Sequence, residues 1–295
     1  IDVARTGAMG NNLRPPAGLA SKLSAFAIVV SNEEYLDGAL VLGWSLFKQS
    51  KMVSGQLAEL IVIVPDDDDA VSESSVAMLK RVGWHHVIRV PDLTKRARRS
   101  HWAGTFNKLY LLNLTQYARV AFFDVDMLML QNPDFIFETH LPNETCIGAL
   151  GNSWGPQHHN KKPYFQTGMM LLIPSADAFA WMMNEFETRL RQEYGELNGR
   201  DGTIFRKYYQ GRYTNLDDSL SMHLKPEESL DGVVGFHFRG DWKPWFNRER
   251  PPDPKSTQYG HAGSKLEIEA GPAYNLWWEH YDELHLARLL PMDVE

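Results

Sequence analysis

The sequence predicts an α/β domain in which βαβ units surround a parallel sheet. Three observations carry that expectation. Short apolar runs alternate with amphipathic segments through the first half, the pattern of strands joined by crossover helices. Residues 119–130 form the strongest apolar run, apolar on both faces apart from two aspartates, as a strand in the middle of a covered sheet must be. No linker rich in Gly, Ser or Pro divides the 295 residues, which predicts one compact domain over 25–295 behind an N-terminal extension at 1–24.

In order, residues 25–30 read as a buried strand. Ser31 and Glu34 have the spacing of a capping box, and Leu36, Ala39, Leu40, Gly43 and Phe47 then fall on one face at helical spacing. Residues 60–64 are a second strand, closed by Pro65 and the acidic run 66–69, which reads as a solvated turn. Residues 86–90 are a third strand and 106–114 a helix. The second half is less regular. It offers a strand at 168–173 stopped by Pro174, and a helix at 177–193 with Phe179, Met182, Met183, Phe186 and Leu190 on its inner stripe. A short strand follows at 235–238, and a helix rich in Trp and Leu at 274–290.

Composition narrows the function classes. With 43% hydrophobic and 23% charged residues the chain is globular rather than disordered. A formal net charge of -7 argues against a general nucleic-acid binder. The single cysteine, Cys146, excludes an intrachain disulfide framework and a CxxC zinc site. No apolar run approaches the roughly 18 residues of a membrane helix, so no membrane span is expected within the chain. The chain begins at Ile1 rather than Met, which leaves an upstream targeting segment, and with it the choice between cytoplasm and secretory lumen, open.

The segment Phe122-Phe123-Asp124-Val125-Asp126 carries the chemistry. Side chains alternate across a strand, so Asp124 and Asp126 point to the same side if the strand continues. Adjacent carboxylates in apolar surroundings repel unless a cation neutralises them. A hard divalent ion held by oxygen ligands answers that need better than a solvated turn, because Met127 to Leu130 continues the apolar run. Two uses fit: a metal clamp on a nucleotide-sugar diphosphate, or a phosphoaspartate site. The second is weakened by the motif's position at 124 and its continuation into Met127-Leu128.

Three blocks then resemble the glycogenin-type glycosyltransferases of family eight. The first joins Phe106-Asn107-Lys108-Leu109-Tyr110, Leu114-Thr115-Gln116-Tyr117 and Phe123-Asp124-Val125-Asp126. The second, His237-Phe238-Arg239-Gly240-Asp241-Trp242-Lys243-Pro244-Trp245, is similar to the family's His-Phe-x-Gly-x-x-Lys-Pro-Trp signature. The third, Asn32, Tyr35 and the run Gly38-Ala39-Leu40-Val41-Leu42-Gly43, resembles its nucleotide-binding start.

The resemblance implies a GT-A type, Rossmann-like nucleotide-sugar-binding fold with a mixed, mainly parallel central sheet flanked by helices. It implies a retaining, metal-dependent hexosyltransferase that uses a UDP-sugar, UDP-glucose or UDP-galactose first. Asp124, Asp126 and His237 match its metal ligands, and an imidazole beside two carboxylates suits Mn²⁺ better than Mg²⁺. Lys108 and Lys243 match lysines that contact the diphosphate or donor sugar, with Gly240 permitting close backbone approach. Val29, Ser31, Asn32 and Tyr35 match the positions that hold uridine, with Tyr35 placed to stack on the base; Val125 lies between the two aspartates. Phe165-Gln166-Thr167-Gly168-Met169 resembles the Phe-Asn-Ser-Gly stretch beside the donor sugar, Gln166 keeping the amide. Asp201 matches an aspartate that orients sugar hydroxyls, but Gly202 stands where the family has a glutamine near the reacting carbon.

The acceptor expected is a hydroxyl on a protein, a protein-linked glycan or an oligosaccharide. Alternatives remain: a self-glucosylating primer using Tyr194, Tyr208 or Tyr209, a phosphohydrolase built on Asp124 and Asp126, and a silent UDP-sugar or glycan-binding module. A homodimer is open as well, the Trp277-Trp278 tail being as natural in a core as in an interface. The basic run 95–99 reads as a solvated loop and His158-His159 as a polar loop near the acceptor side, while the sequons at Asn113 and Asn143 do not establish secretion.

Overall fold

The structure, a computed structural model, describes residues 22–96, 103–151, 165–192, 201–222, 229–238, 243–246, 257–259, 265–267, 272–287 and 289. Most of the N-terminal extension, residues 97–99 of the basic run, His158, His159, Tyr194 and Gly240 lie outside these residues.

The strands that build the site are, in chain order, β1 (Ser24–Val29), β2 (Ala58–Pro65), β3 (His86–Val90), β4 (Arg119–Phe123), β5 (Met127–Met129), β6 (Ile147–Gly151), β7 (Phe165–Leu172), β8 (Tyr213–Asn215) and β9 (Gly235–His237). Seven of them form one sheet in the order β3-β2-β1-β4-β7-β6-β8. β7 alone runs against its neighbours there, so the sheet is mixed and mainly parallel, as expected. The chain steps outward from β1 to β3 and then returns to place β4 on the other side of β1. That reversal is a topological switch point, where an open α/β sheet binds ligands beyond the carboxyl ends of its strands.

The helices are α1 (Leu36–Gln49), α2 (Lys51–Ser54), α3 (Glu73–Val82), α4 (Leu93–Arg96), α5 (Ala176–Gln192), α6 (Asp201–Tyr208) and α7 (Pro272–Leu286). Period-two alternation sorts each strand between two cores. Phe26, Ile28, Leu60, Val62, Ala121 and Phe123 pack in one core with α1, α3 and α7. Ala25, Ala27, Ile61, Ile63, Val120 and Phe122 pack in the other with α5, α6 and the 3₁₀ turns at Ala103–Asn113. The tryptophans of α7 belong to the first core. Trp277 is fully buried and lies 5.6 Å from the Trp245 ring. Glu283 docks α7 on α1 by accepting from Trp44 Nε1 at 2.8 Å and Lys48 Nζ at 2.7 Å.

Four local expectations are corrected. The run at 119–130 is two strands, because the chain changes partner after Phe123: β4 lies between β1 and β7, whereas β5 pairs with β9. The capping box gives way to a 3₁₀ turn at Glu33–Tyr35 whose N-cap is Asn32, without a side-chain cap. Phe47 lies on the correct stripe but in the last turn of α1, beside Gly83. It is 45% exposed and stacks on Trp44. The helix at 106–114 winds as 3₁₀ turns. There Asn107 accepts from Leu93 N and donates to Asp92, so its amide serves another segment rather than the solvent face of a helix.

One buried carboxylate fixes α6 against α5. Glu185 accepts from Lys207 Nζ at 2.7 Å and from Arg189 Nε at 2.8 Å. Burial disfavours its charge, but these two hydrogen-bonded cations outweigh burial and hold its pKa below the ordinary glutamate value. A folded pKa below the unfolded one adds stability above the unfolded value of about 4.3, and that stability is lost as pH falls through the folded value. E185Q is therefore expected to cost about 1 kcal/mol at neutral pH in denaturant titrations, the gap to the parent closing below about pH 4.

Candidate active site

The carboxyl ends of β1 and β4 sit side by side at the switch point, and each delivers part of the site. After β4 the chain turns through Asp124-Val125-Asp126 and re-enters as β5. Pairing of β5 with β9 sets Met127 opposite His237, which brings the imidazole beside Asp126. Asp126 O accepts from Phe238 N at 2.9 Å, which locks that register. His237 Nε2 is 3.1 Å from Asp126 Oδ1. Asp124, Asp126 and His237 each offer a ligand atom, all within 4.8 Å of one another.

The two carboxylates have separate counter-charges. Lys108 Nζ lies 2.7 Å from Asp124 Oδ1 and donates to Thr167 O at 3.2 Å, with the Phe122 ring beneath it at 4.9 Å. Lys243 Nζ contacts Asp126 Oδ2 and Phe238 O, each at 2.5 Å. Both lysines are buried. Burial disfavours the Lys108 charge, but Asp124 and Asp201 outweigh it and hold its pKa above the usual lysine value. Burial also raises the Asp124 carboxyl, with the neighbouring Asp126 charge adding to it against Lys108. For Asp126 burial is overcome by His237 and Lys243, which hold it well below the usual carboxylate range.

Two features fit a divalent cation. Asp126 Oδ1 is buried and has no hydrogen-bond partner. Gly168 keeps the space open, since a Cβ there would lie 2.8 Å from Asp124 Oδ2 and 3.2 Å from His237 Cε1. Behind His237, the buried Ser221 Oγ is 3.2 Å from Nδ1. With the proton on Nδ1 donated to that hydroxyl, Nε2 is left as a lone-pair ligand facing the aspartates. Nothing in the sequence singled out Ser221, because it comes from a 3₁₀ turn at Asp218–Ser221 that meets β9 only in three dimensions.

At the end of β1, Val29 is buried and Ser31 half-buried. The capping alternative for Asn32 fails: its Oδ1 is buried and makes no hydrogen bond. Tyr35 meets Trp245 and Phe246 edge-on at 6.0 and 5.8 Å. The 3₁₀ turn at Pro244–Phe246 thus joins the Tyr35 side of the site to Lys243, and Trp245 is pressed so closely on Gly38 that a Cβ there would lie 2.7 Å from the indole. Val125, Gln166 and Thr167 are half-buried beside the aspartates and Gly168, on the β4–β5 turn and β7. Asp201, the first residue of α6, is buried with its Oδ2 3.8 Å from Lys108 Nζ and without a hydrogen bond. Contacts thus tie Asp124, Asp126, Asp201, His237, Lys108 and Lys243 together, and Tyr35 joins them through the turn that follows Lys243.

No protein-family model matches the chain. Glycogenin-1 of Mus musculus is 27% identical over 281 residues, spanning 87% of this chain and 75% of that protein. Two Arabidopsis thaliana proteins, putative UDP-glucuronate:xylan alpha-glucuronosyltransferases 5 and 3, are 27% and 30% identical over 77% and 61% of this chain. The chain spans only 37% and 25% of their lengths. Among solved structures, the galactosyltransferase LgtC with donor and acceptor sugar analogues superposes with a TM-score of 0.62 at 13% identity, covering 90% of this chain and all of that one. The glycosyltransferase GlyE of Streptococcus pneumoniae gives 0.57 at 14%, covering 93% and 66%. No helix among the described residues is long and apolar enough to cross a membrane. The three sequence blocks meet at one switch point, on a sheet shared with these enzymes: the chain is similar in sequence to the glycogenins and has the GT-A fold of the solved glycosyltransferases.

Proposed function

We propose that the chain moves a hexosyl group, glucose or galactose being the first to assay, from a UDP-sugar to a hydroxyl of a protein, protein-linked glycan or oligosaccharide, with retention of configuration. The observation that carries this reading is the convergence of Asp124, Asp126 and His237 with Lys108 and Lys243 at the carboxyl ends of β1 and β4. Asp124, Asp126 and His237 are the residues that would hold Mn²⁺, with Mg²⁺ the alternative. Bound there, the ion supplies Lewis-acid neutralisation of a departing diphosphate.

The chain's own groups do the rest. Val29, Ser31, Asn32 and Tyr35 hold the uridine, the unbonded Asn32 Oδ1 accepting from the base or ribose and Tyr35 stacking on the base. Lys243 donates to the diphosphate, with Gly240 as the expected point of close backbone approach. Lys108 steadies Asp124 on one side and Asp201 on the other. Gln166 and Thr167 line the sugar, and the unbonded oxygen of Asp201 orients one of its hydroxyls. The acceptor oxygen bonds to the anomeric carbon on the face from which UDP departs. The bond to the phosphate oxygen breaks, and the acceptor's proton passes to that phosphate, whose charge Lys243 stabilises.

The phosphohydrolase alternative loses ground, and the self-glucosylating one loses one of its three tyrosines. Asp124 as a phosphoenzyme nucleophile would have to leave its ion pair with buried Lys108. Tyr209 is fully buried and its ring meets Tyr208 edge-on, so it is no self-acceptor in this fold.

UDP release from a panel of UDP-sugars is expected to need a divalent ion and to stop with chelator. D124A and D126A should each lower it by about a hundredfold or more. Donor consumption that is indifferent to chelator and to both substitutions would sink the proposal. G168A should weaken Mn²⁺ binding by tenfold or more, the added methyl crowding Asp124 and His237, at a stability cost of about 1–3 kcal/mol. Calorimetric titration with Mn²⁺ reads this directly, and undiminished affinity would show that Gly168 does not guard the metal space.

A further inference from the structure

Gly202 is the position where the chain departs most plainly from its family's pattern, and the structure shows what stands in the space beside it. A Cβ at 202 would lie 2.6 Å from Arg206 Nη1 and 3.1 Å from both Cζ and Nη2. The guanidinium therefore lies across the bare Cα of Gly202. Arg206 is one helical turn further along α6, and side chains of a helix lean toward its N-terminus, so this residue reaches back over position 202. From there Arg206 Nη1 donates to Phe165 O at 3.1 Å, at the start of β7.

These anchors are two walls of the same site. Gly202 follows Asp201, whose Oδ2 is buried without a hydrogen bond and lies beside Lys108. Phe165 precedes Gln166 and Thr167, whose backbone oxygen accepts a hydrogen bond from Lys108, and Gly168, whose Cα faces Asp124 and His237. These two contacts of Arg206 lie on the sugar-side walls. The carboxylates and imidazole that would hold the metal, and Lys243, are tied by other partners.

We infer that Arg206 is a positioning residue for the transferred sugar: reaching through the space left by Gly202, it clamps the start of α6 to the start of β7 and holds Asp201 toward the sugar. The inference rests on the sugar-transfer reading above and deepens it. A guanidinium carries five donors in a fixed fork, so it can hold a carbonyl and span two backbone segments at once, which a lysine ammonium does less well. The glycine and the arginine form one device. Neither works without the other, because any side chain at 202 displaces the guanidinium.

The test separates nucleotide from sugar. Dissociation constants for UDP and for UDP-glucose, UDP-galactose and UDP-glucuronate are measured by calorimetry with Mn²⁺, alongside UDP release. The parent is expected to bind at least one UDP-sugar more tightly than UDP. R206A and G202A should keep UDP affinity within about twofold but lose that sugar increment by about tenfold, as for a lost hydrogen bond to a charged group. R206K should recover part of it. Millimolar guanidinium should recover it in R206A and not in G202A, and G202Q/R206A should recover it by refilling the space. If both variants retain the increment, or lose UDP and UDP-sugar affinity together along with thermal stability, Arg206 is fold support only and the inference falls. A parent that gains nothing from the sugar also overturns it. A parent that binds a UDP-sugar with the increment yet releases no UDP, with or without glycan and protein acceptors, would refute the transferase reading and leave the clamp standing.

Discussion

Two carboxylates held close together in a largely water-excluded corner set the terms for the rest of the molecule. Asp124 and Asp126 retain only 28% and 14% of their side-chain exposure, and their mutual repulsion must be met. Lys108 meets it on one side and Lys243 on the other, with His237 placed beside Asp126. Each of those partners arrives on a separate element, so the charge balance dictates which elements converge. The 3₁₀ turns at Ala103–Asn113 bring Lys108, β9 brings His237, and the turn pinned by Trp245 to Gly38 and Trp277 brings Lys243. Such a constellation serves a site that receives negative charge, because a divalent ion and a diphosphate can both enter without leaving a lone charge buried.

The fold supplies the place. A switch in strand order opens a crevice between β1 and β4, and the chain changes sheets after β4 at that crevice. The break in the strand is what allows Asp124 to keep its backbone bond to Gly168 O while Asp126 turns toward β9. Buried oxygens without a hydrogen bond include Asn32 Oδ1 after β1, Asp126 Oδ1 after β4 and Asp201 Oδ2 at the start of α6.

Much of this was legible in the sequence, for identifiable reasons. β1, β2 and β3 are apolar runs bounded by turn residues, and local pattern sufficed for them. The Asp-x-Asp pair announced itself because carboxylates inside an apolar run need a reason. What pattern could not give was partner choice. Residues 119–130 read as one strand because hydrophobicity does not record that β5 leaves the sheet for β9. α3 carries a good amphipathic stripe, yet its polar Glu73-Ser74-Ser75 start hid it beside the acidic turn. Phe47 obeyed helical period and still faced solvent, since the period does not say where the core ends. Ser221 and Arg206 have no local signal at all; each acts through a contact with a segment far along the chain, His237 for one and Phe165 for the other. The glycine at 202 was visible as a departure, but its cause lay one helical turn away in a residue that composition treats as surface.

The claim on which the account turns is that Asp124, Asp126 and His237 together form one cation site with His237 Nε2 as a ligand. Electron spin-echo spectroscopy of the Mn²⁺–UDP complex tests it most directly, because a bound imidazole modulates the echo through its nitrogen. One Mn²⁺ per chain with a single imidazole coupling, abolished in H237Q and absent from D126A for want of bound ion, is the result expected. An echo from tightly bound Mn²⁺ without nitrogen modulation, or one unchanged in H237Q, would contradict it.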